Sequence, residues 1–237
     1  MTYTLEYTST PPGSSDGWDS PIWSKAQTVQ LTHFHADSSE HRPDARVRLL
    51  YTDTAIHGLF HVKDRYVLAH RTAFQDSVCR DSCVEFFVQP HPDVGYFNLE
   101  INCIGTVLLH HMKPDKSPNL PIGPEACAQL GIIPSLPCEP ILQEIAEPVT
   151  WTLGFTLPFA LLEAYTGQPC GPTQTGWRGN FFKCADESSH PHWASWRSVG
   201  EPLNFHKPER FGALAFADPP TSLASEIPAK AAGHGRA

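Results

Sequence analysis

The stretch CVEFFVQPHPDVGYFNLEINCIG, residues 83–105, decides the fold. Two runs of alternating residues flank a loop, HPDVG, whose Pro, Asp and Gly favour a turn. In one register a whole face of the two runs is apolar, and that register joins Val88 with Phe97, Phe86 with Leu99, and Val84 with Ile101. A slip by one residue would mix the two faces, so the sequence predicts an antiparallel hairpin in this register.

On the other face of the predicted hairpin, the same register sets Glu85 directly opposite Glu100. The β-carbons of such a pair lie about 5 Å apart, and like charges at that separation are destabilising. Something should therefore neutralise the pair: a cation, an Arg or Lys side chain, a shared proton, or the hydroxyl groups of a ligand. The alternative is a solvated sheet edge from which both side chains extend into water.

The rest of the chain repeats this two-residue periodicity, which is typical of half-buried strands. Further strands are predicted in RVRLLYT, AIHGLFHV, GTVLLHH, VTWTLGFTLP, WRGNFFKCA and GALAFA. One short helix is predicted at residues 158–165, PFALLEAY, with a proline in its first turn. Many strands, many turns and one helix indicate an all-β sandwich or barrel.

Two segments depart from this pattern. Residues 112–148 hold eight of the 23 prolines and show little alternation, so they are predicted to be a long surface excursion with one weak strand around 132–136. Residues 218–237 contain no Phe, Trp or Tyr and cannot bury enough apolar surface to become ordered. The sequence therefore predicts one domain over 1–217, followed by a disordered tail over 218–237.

Composition excludes several partners. The net charge is −8 and no basic run is present, which argues against a nucleic-acid backbone as ligand. No apolar stretch approaches the ~20 residues needed to span a bilayer, so a membrane partner is not expected. No secretory signal is visible at the N-terminus, and the expected location is cytoplasmic. The odd number of cysteines, seven, together with the absence of C-x-x-C, favours buried free thiols.

Motifs for cofactor chemistry are absent. The sequence has no P-loop, G-x-G-x-x-G or G-x-S-x-G, and its 13 histidines show no spacing typical of a zinc site. Aromatic residues are plentiful, and sugars pack their C–H faces on such rings. Trp193, Trp196 and Phe205 lie in a polar segment rich in Pro and Gly, where an exposed ring is more expected than in a strand.

Several motifs, taken in order, resemble the family 9 carbohydrate-binding modules, and in particular their bacterial family 9-like branch. The motifs are GWDSPIW, RVRLLYTDTAIHGLFHVKD, DSCVEFFVQP with YFNLEIN, GNFFKCADESSHPHWASW, and NFHKPERFG. Together they span roughly residues 16–217. The resemblance implies an immunoglobulin-like antiparallel β-sandwich that binds sugar and commonly holds structural calcium.

The resemblance also implies candidate ligand-binding residues. The family's Glu in its D-S-V-E motif falls on Glu85, and its Asn on the next strand falls on Asn102. The family's Arg two residues before that Asn corresponds to Glu100, which reverses the charge. In the family two aromatic rings clamp the sugar; one corresponds to Phe205 and the other falls on Cys79. These departures bear on which sugar could be bound.

A structural calcium site is the family's third implication. The calcium-ligating Asp that follows the second hairpin strand matches Asp64 in HVKD, and carboxylate oxygen is the ligand that Ca²⁺ prefers. We therefore expect that a calcium ion, if bound, is structural and uses Asp64.

The predicted function is non-catalytic recognition of a mono- or oligosaccharide end, associated with carbohydrate catabolism. An exposed Phe205 would stack on the sugar ring, while Glu85, Glu100 and Asn102 would exchange hydrogen bonds with its hydroxyls. One alternative is a glycoside hydrolase that uses Glu85 and Glu100, because opposed carboxylates could approach the ~5 Å separation of retaining enzymes. Another is an interaction module whose sugar site has degenerated.

Overall fold

The alternating segments of the sequence form strands that stack in two curved sheets. The computed structural model describes residues 2–115 and 119–220. The strands within them are β1 (Thr2–Tyr7), β2 (Thr28–Gln30), β3 (His33–Phe34), β4 (Asp44–Tyr51), β5 (Ala55–Asp64), β6 (Val67–Ala69), β7 (Cys83–Gln89), β8 (Tyr96–Asn102), β9 (Val107–Met112), β10 (Leu120–Pro121), β11 (Ile133–Pro134), β12 (Ile141–Ile145), β13 (Val149–Pro158), β14 (Arg178–Cys184), β15 (Trp193–Ser195) and β16 (Gly212–Phe216).

Strand β1 joins the two sheets. Its first residues pair with β16 in a sheet of order β10-β9-β8-β7-β14-β16, and its last residues pair with β4 in a sheet of order β4-β5-β13-β11. Both pairings of β1 are parallel, whereas the neighbouring pairs β7–β8, β7–β14 and β4–β5 are antiparallel. The predicted β-sandwich is confirmed. The strand pairs of the described residues are antiparallel as expected except those of β1, which runs parallel to its neighbour in each sheet.

The hairpin that opened the sequence argument has the predicted register. Val88 lies opposite Phe97, Phe86 opposite Leu99, and Val84 opposite Ile101. All six side chains belong to the main core between the sheets, and the most exposed of them is 1% accessible. The apolar pattern thus fixes which face of β7 and β8 turns inward and which face carries Glu85 and Glu100.

The core fills from both sheets with the residues that the alternation selects. Val47, Leu49 and Tyr51 of β4 and Trp151 of β13 are buried there. The predicted short helix is present as α2 (Phe159–Thr166) and begins one residue after Pro158. No helix within residues 2–115 and 119–220 is long and apolar enough to cross a membrane.

The proline-rich excursion is more structured than the sequence suggested. It contains the helix α1 (Pro124–Cys127) and the strands β10, β11 and β12, of which β11 is the weak strand predicted around 132–136. Buried Ile122, Cys127 and Leu130 tie this segment to the main core. The chain can be followed through Ala217, whose N–H donates to the Leu5 carbonyl at 2.9 Å. The predicted tail lies largely outside the described residues, from position 221 onward.

Candidate functional site

Glu85 and Glu100 face each other on the outer side of the β7–β8 hairpin, as the register requires. Their residues are only 2% and 6% exposed, because the segments that follow β6 and β15 fold over this face. The pair is therefore not the solvated sheet edge that was the alternative. Two opposed carboxyl groups lie instead inside a covered polar layer.

The hydrogen bonds of the two carboxyl groups point in opposite directions. The Cys184 thiol donates to Glu85 Oε1 over 3.1 Å, and Asn98 Nδ2 donates to Glu100 Oε1 over 2.9 Å. None of the ion pairs within the described residues includes Glu85 or Glu100. A basic side chain from this part of the chain is therefore not what neutralises the pair.

Protonation is one of the ways left for these residues to relieve their repulsion. Burial, reinforced by the neighbouring charge of Glu100, raises the pKa of Glu85 well above its usual range. Burial also raises the pKa of Glu100 to about 7, although the hydrogen bond from Asn98 opposes the shift. Near neutral pH the pair thus holds protons that an exposed pair would have lost.

Phe205 covers this layer. Its ring stacks on Phe182 with the centroids 4.1 Å apart and the planes 13° from parallel. A hydrogen bond of 2.8 Å between Tyr96 Oη and His206 Nδ1 fixes the adjoining backbone against β8. The prediction of a fully exposed Phe205 is therefore corrected: the ring is half-buried, because one of its faces rests on the sheet.

Two tryptophans of the same polar segment behave differently. Trp196 is only 7% exposed and packs into the main core, so the expectation that it is exposed was wrong. Trp193 is half-buried and contacts the same cluster of side chains as Phe205 and Cys79. Its Nε1 donates to Asp186 Oδ1 over 2.7 Å, which fixes the indole orientation. Trp193 thus supplies a second aromatic ring near Cys79, the position at which the sequence itself has no aromatic residue.

A groove opens beside these rings, between the 198–205 segment and strands β3 and β15. Its walls include His33, His35, Trp193, Ser195, Glu201 and Phe205. Aromatic surface and polar groups thus converge in one concave region, an arrangement typical of small-ligand sites.

The structure gives Asn102 a different task from the predicted contact with ligand hydroxyls. Its Nδ2 donates to the Arg71 carbonyl and to Asp81 Oδ2, while its Oδ1 accepts from the Thr106 N–H. The side chain is fully buried, and both of its polar ends have partners. Asn102 therefore holds the loops that flank the hairpin and has no free group to offer a ligand.

Asn98 is the residue that the sequence argument missed. It lies next to Glu100 on the same face of β8, it is 3% exposed, and its Oδ1 has no hydrogen-bond partner. The register had already placed Asn98 opposite Phe87 on the polar face, so this signal was available in the sequence.

Asp64 lies elsewhere, between the two sheets. Lys183 Nζ is 3.1 Å from Asp64 Oδ2, and both side chains are 0% exposed. His41 Nε2 and the Arg65 N–H donate to Asp64 Oδ1 over 2.8 and 2.9 Å. Burial alone would raise the pKa of Asp64, but the Lys183 ammonium and the His41 hydrogen bond hold it well below its usual range.

The surroundings of Asp64 do not fit a calcium ion. Besides the carboxylate of Asp64, the groups that converge there are an ammonium, imidazoles and a backbone N–H, whereas calcium takes six to eight oxygen ligands. Lys183 also donates to the Cys184 carbonyl and to His192 Nε2, over 3.0 and 2.7 Å. The ammonium thus makes two hydrogen bonds in addition to its ion pair, and a cation belonging to the chain already compensates Asp64.

A β-sandwich whose outer sheet face carries aromatic rings beside carboxyl and amide groups has the features of a carbohydrate-binding module. Comparison with known proteins agrees: the sequence profile of carbohydrate-binding family 9 matches residues 22–216. The chain belongs to that family. A comparison with curated protein sequences finds no match.

Solved structures show the same fold. A Bacteroides uniformis protein, for which carbohydrate binding is proposed, is 27% identical with a TM-score of 0.79, over 91% of this chain and 99% of that one. A family 9 module of Caldicellulosiruptor kristjanssonii in complex with cellotriose is 12% identical with a TM-score of 0.64, over 96% and 99% of the two chains. Another structure from that organism, in complex with glucose, is 11% identical with a TM-score of 0.58, over 93% and 99%.

Proposed function

We propose that this protein binds the end of a mono- or oligosaccharide, without catalysis, at the outer face of β7, β8 and β14. The observation that carries the proposal is a pair of buried, opposed carboxyl groups that has no basic partner among the described residues and lies near a half-buried aromatic ring. Like-charged residues in this position cost stability, and a ligand that needs hydrogen-bond acceptors explains their presence.

In this proposal Phe205 packs its free face on the sugar ring. Glu100 and Asn98, which are hydrogen-bonded to each other, supply the polar contacts, since Asn98 Oδ1 is left to accept a bond from a hydroxyl. Trp193 stands in for the second aromatic clamp that Cys79 does not supply. Glu85 lies beneath these contacts, and its protonation state determines the charge of the pair.

The buried position of both carboxyl groups also favours binding over glycoside hydrolysis. A retaining hydrolase needs its two carboxyl groups on either side of the scissile bond. Here they are adjacent on one sheet face beneath a covering segment, so an attached sugar would meet both from the same side.

A glycan array first identifies candidate ligands. Calorimetric titration with these ligands and with glucose and cellotriose, the sugars bound in the structural neighbours, then tests the proposal. We expect saturable binding, at least about fivefold weaker in Phe205→Ala, because a stacked aromatic contact is worth about 1 kcal/mol or more. Phe74→Ala, which removes an exposed ring elsewhere, is the matched control.

A parallel assay measures released reducing sugar. Binding without release supports the proposal, while release that Glu85→Gln abolishes would establish the hydrolase instead. Absence of binding across the array would leave an interaction module whose sugar site has degenerated and would overturn the proposal.

A further inference from the structure

Two cysteines lie close to Glu85, one on its own strand β7 and one on β14, the neighbour of β7 on the side away from β8. Cys83 and Cys184 lie directly opposite each other on β7 and β14, and Glu85 follows Cys83 on the same face. One ligand atom from each of the three residues lies within 4.8 Å of the other two. All three residues are at most 2% exposed.

These spacings suit a tetrahedral metal site. Zinc binds thiolate sulfur at about 2.3 Å and carboxylate oxygen at about 2.0–2.2 Å, which places neighbouring ligand atoms about 3.6–3.8 Å apart. The distance from Cys184 Sγ to Glu85 Oε1 is 3.1 Å, so a small side-chain rotation would open the space for an ion. Three protein ligands leave a fourth position for water.

A second observation points to a missing partner. Glu85 Oε2, the other oxygen of the same carboxyl group, is buried and has no hydrogen-bond partner. A buried carboxyl oxygen without a partner is costly, and no ion pair of the described residues reaches it. The site thus has ligand atoms in place and unused capacity to accept a cation.

We propose that Cys83, Cys184 and Glu85 form a binding site for a thiophilic divalent cation of the zinc class. Binding replaces the two thiol protons and the proton of the carboxyl group, so these protons leave to solvent as the ion enters. Thiolate ligands select zinc-like ions over calcium and magnesium, which prefer oxygen.

This site shares Glu85 with the carboxyl pair assigned to sugar, but its other members are different residues. The cation uses Cys83 and Cys184 besides Glu85, whereas the proposed sugar contacts lie on Glu100, Asn98 and Phe205. The cation site therefore does not rest on the proposed function. Cation binding can be measured without sugar, and sugar binding can be measured on metal-free protein.

Cobalt(II) is the probe, because its thiolate complexes absorb strongly in the near ultraviolet and its tetrahedral complexes absorb in the visible. The full chain is prepared reduced and metal-free, then titrated with Co²⁺ and afterwards with Zn²⁺. We expect a saturable charge-transfer band of one-to-one stoichiometry with an intensity that corresponds to two thiolates, displaced by Zn²⁺ but not by Ca²⁺. Protons released during the Zn²⁺ titration are counted in lightly buffered solution.

Variants assign the ligands. Cys83→Ser and Cys184→Ser should each remove one thiolate's share of the band. Glu85→Gln should weaken Co²⁺ binding by more than about a hundredfold, which is the upper end of the loss caused by removing an outer-shell partner. Cys170→Ser, at a buried cysteine elsewhere, and Cys138→Ser, at an exposed one, should leave the spectrum unchanged.

If a Ser variant does not fold, the wild-type band decides, since its intensity counts the thiolates. Folded wild type without a thiolate–cobalt band, or with a band that survives in the Cys83→Ser/Cys184→Ser double variant, would overturn the site. Lost sugar binding with an intact cobalt band would instead overturn only the proposed function.

Discussion

Two buried clusters of charged residues lie in this sandwich, and they are built in opposite ways. Between the sheets, Asp64 has Lys183 as its counter-charge, and the ammonium also donates two hydrogen bonds. On the outer face, Glu85 and Glu100 oppose each other without any basic partner among the described residues. In the first cluster a negative charge is compensated by a positive one, whereas in the second two acidic residues have no positive charge beside them.

The contrast separates structure from function. A buried pair of opposite charges holds two elements together and needs no further partner from solvent or from a ligand. An uncompensated pair costs stability, and groups of this kind concentrate at functional sites. At Asp64 the counter-charge is a side chain of the protein, Lys183, while the open hydrogen-bonding capacity lies around Glu85, Glu100 and Asn98.

The largest expected effect comes from breaking the compensated cluster. Lys183→Met removes the ammonium and leaves Asp64 buried without its counter-charge, which should cost about 3–5 kcal/mol of unfolding free energy. Urea denaturation measures the loss. Lys63→Met, at an exposed lysine next to Asp64 on β5, is the matched control and should change stability by less than about 0.5 kcal/mol. A small loss in Lys183→Met would remove the distinction between the two clusters.

The second effect is a dependence of stability on pH. Because the folded protein raises the pKa of Glu100 to about 7, it binds a proton there that the unfolded chain releases near pH 4.5. The pair's contribution is therefore fully present below about pH 4.5 and is lost as pH rises toward 7, by about 2–3 kcal/mol.

The measurement is the difference between wild type and the Glu85→Gln/Glu100→Gln variant across this pH range. Burial lowers the pKa of His57 and His192 to about 4 and about 3, so the contribution of these residues to stability rises with pH, opposite to that of the carboxyl pair. Only the difference between the two proteins isolates the carboxyl pair. Glu209→Gln, at an exposed position, controls for the loss of one negative charge. Parallel profiles would show that the pair is not protonated.

A smaller effect is expected for Phe205→Ala. Since the ring rests on Phe182 with one face only, its removal should cost about 1–2 kcal/mol, below the 3–5 kcal/mol typical of a core phenylalanine. Chemical denaturation compares this variant with Phe181→Ala, which deletes the fully buried ring of the residue next to Phe182 on β14. Equal losses in the two variants would place Phe205 in the core and argue against a stacking role.

The smallest expected effect is that of calcium. Addition of Ca²⁺ to metal-free protein should leave the melting temperature where Mg²⁺ leaves it, because Lys183 already compensates Asp64. A native calcium site would instead add about 2.7 kcal/mol at a hundredfold excess of the ion over its dissociation constant. Stabilisation by Ca²⁺ that Asp64→Asn abolishes would contradict the assignment of the Asp64 cluster.

The two-residue periodicity of the sequence predicted the strands and their facing residues, but it predicted little about the loops that cover them. The period fixed the hairpin register, and with it the opposition of Glu85 and Glu100. It could not show the segment that covers them, so burial of the pair and of one Phe205 face was missed. Parallel pairing of β1 also lay beyond it, because local alternation carries no strand direction.

The role of Asp64 was missed for a related reason. A single matching carboxylate does not reveal its partner, which lies 119 positions later in the other sheet as Lys183. The signal was nevertheless present, because alternation in β14 puts Lys183 on the same inward face as Phe181. A lysine at a core-facing position requires a buried counter-charge, and the sequence offered Asp64 at the equivalent face of β5.

The most direct test of the central claim, that the uncompensated carboxyl pair is the sugar site, uses Glu100→Gln and measures stability and sugar affinity on the same sample at neutral pH. The account predicts opposite signs. The variant unfolds at higher urea concentration than wild type, because a Gln cannot ionise whereas the buried Glu100, with a pKa of about 7, is partly ionised at this pH. It binds sugar more weakly, because an acceptor has been lost. A variant that is less stable than wild type yet binds sugar with unchanged affinity would contradict the account.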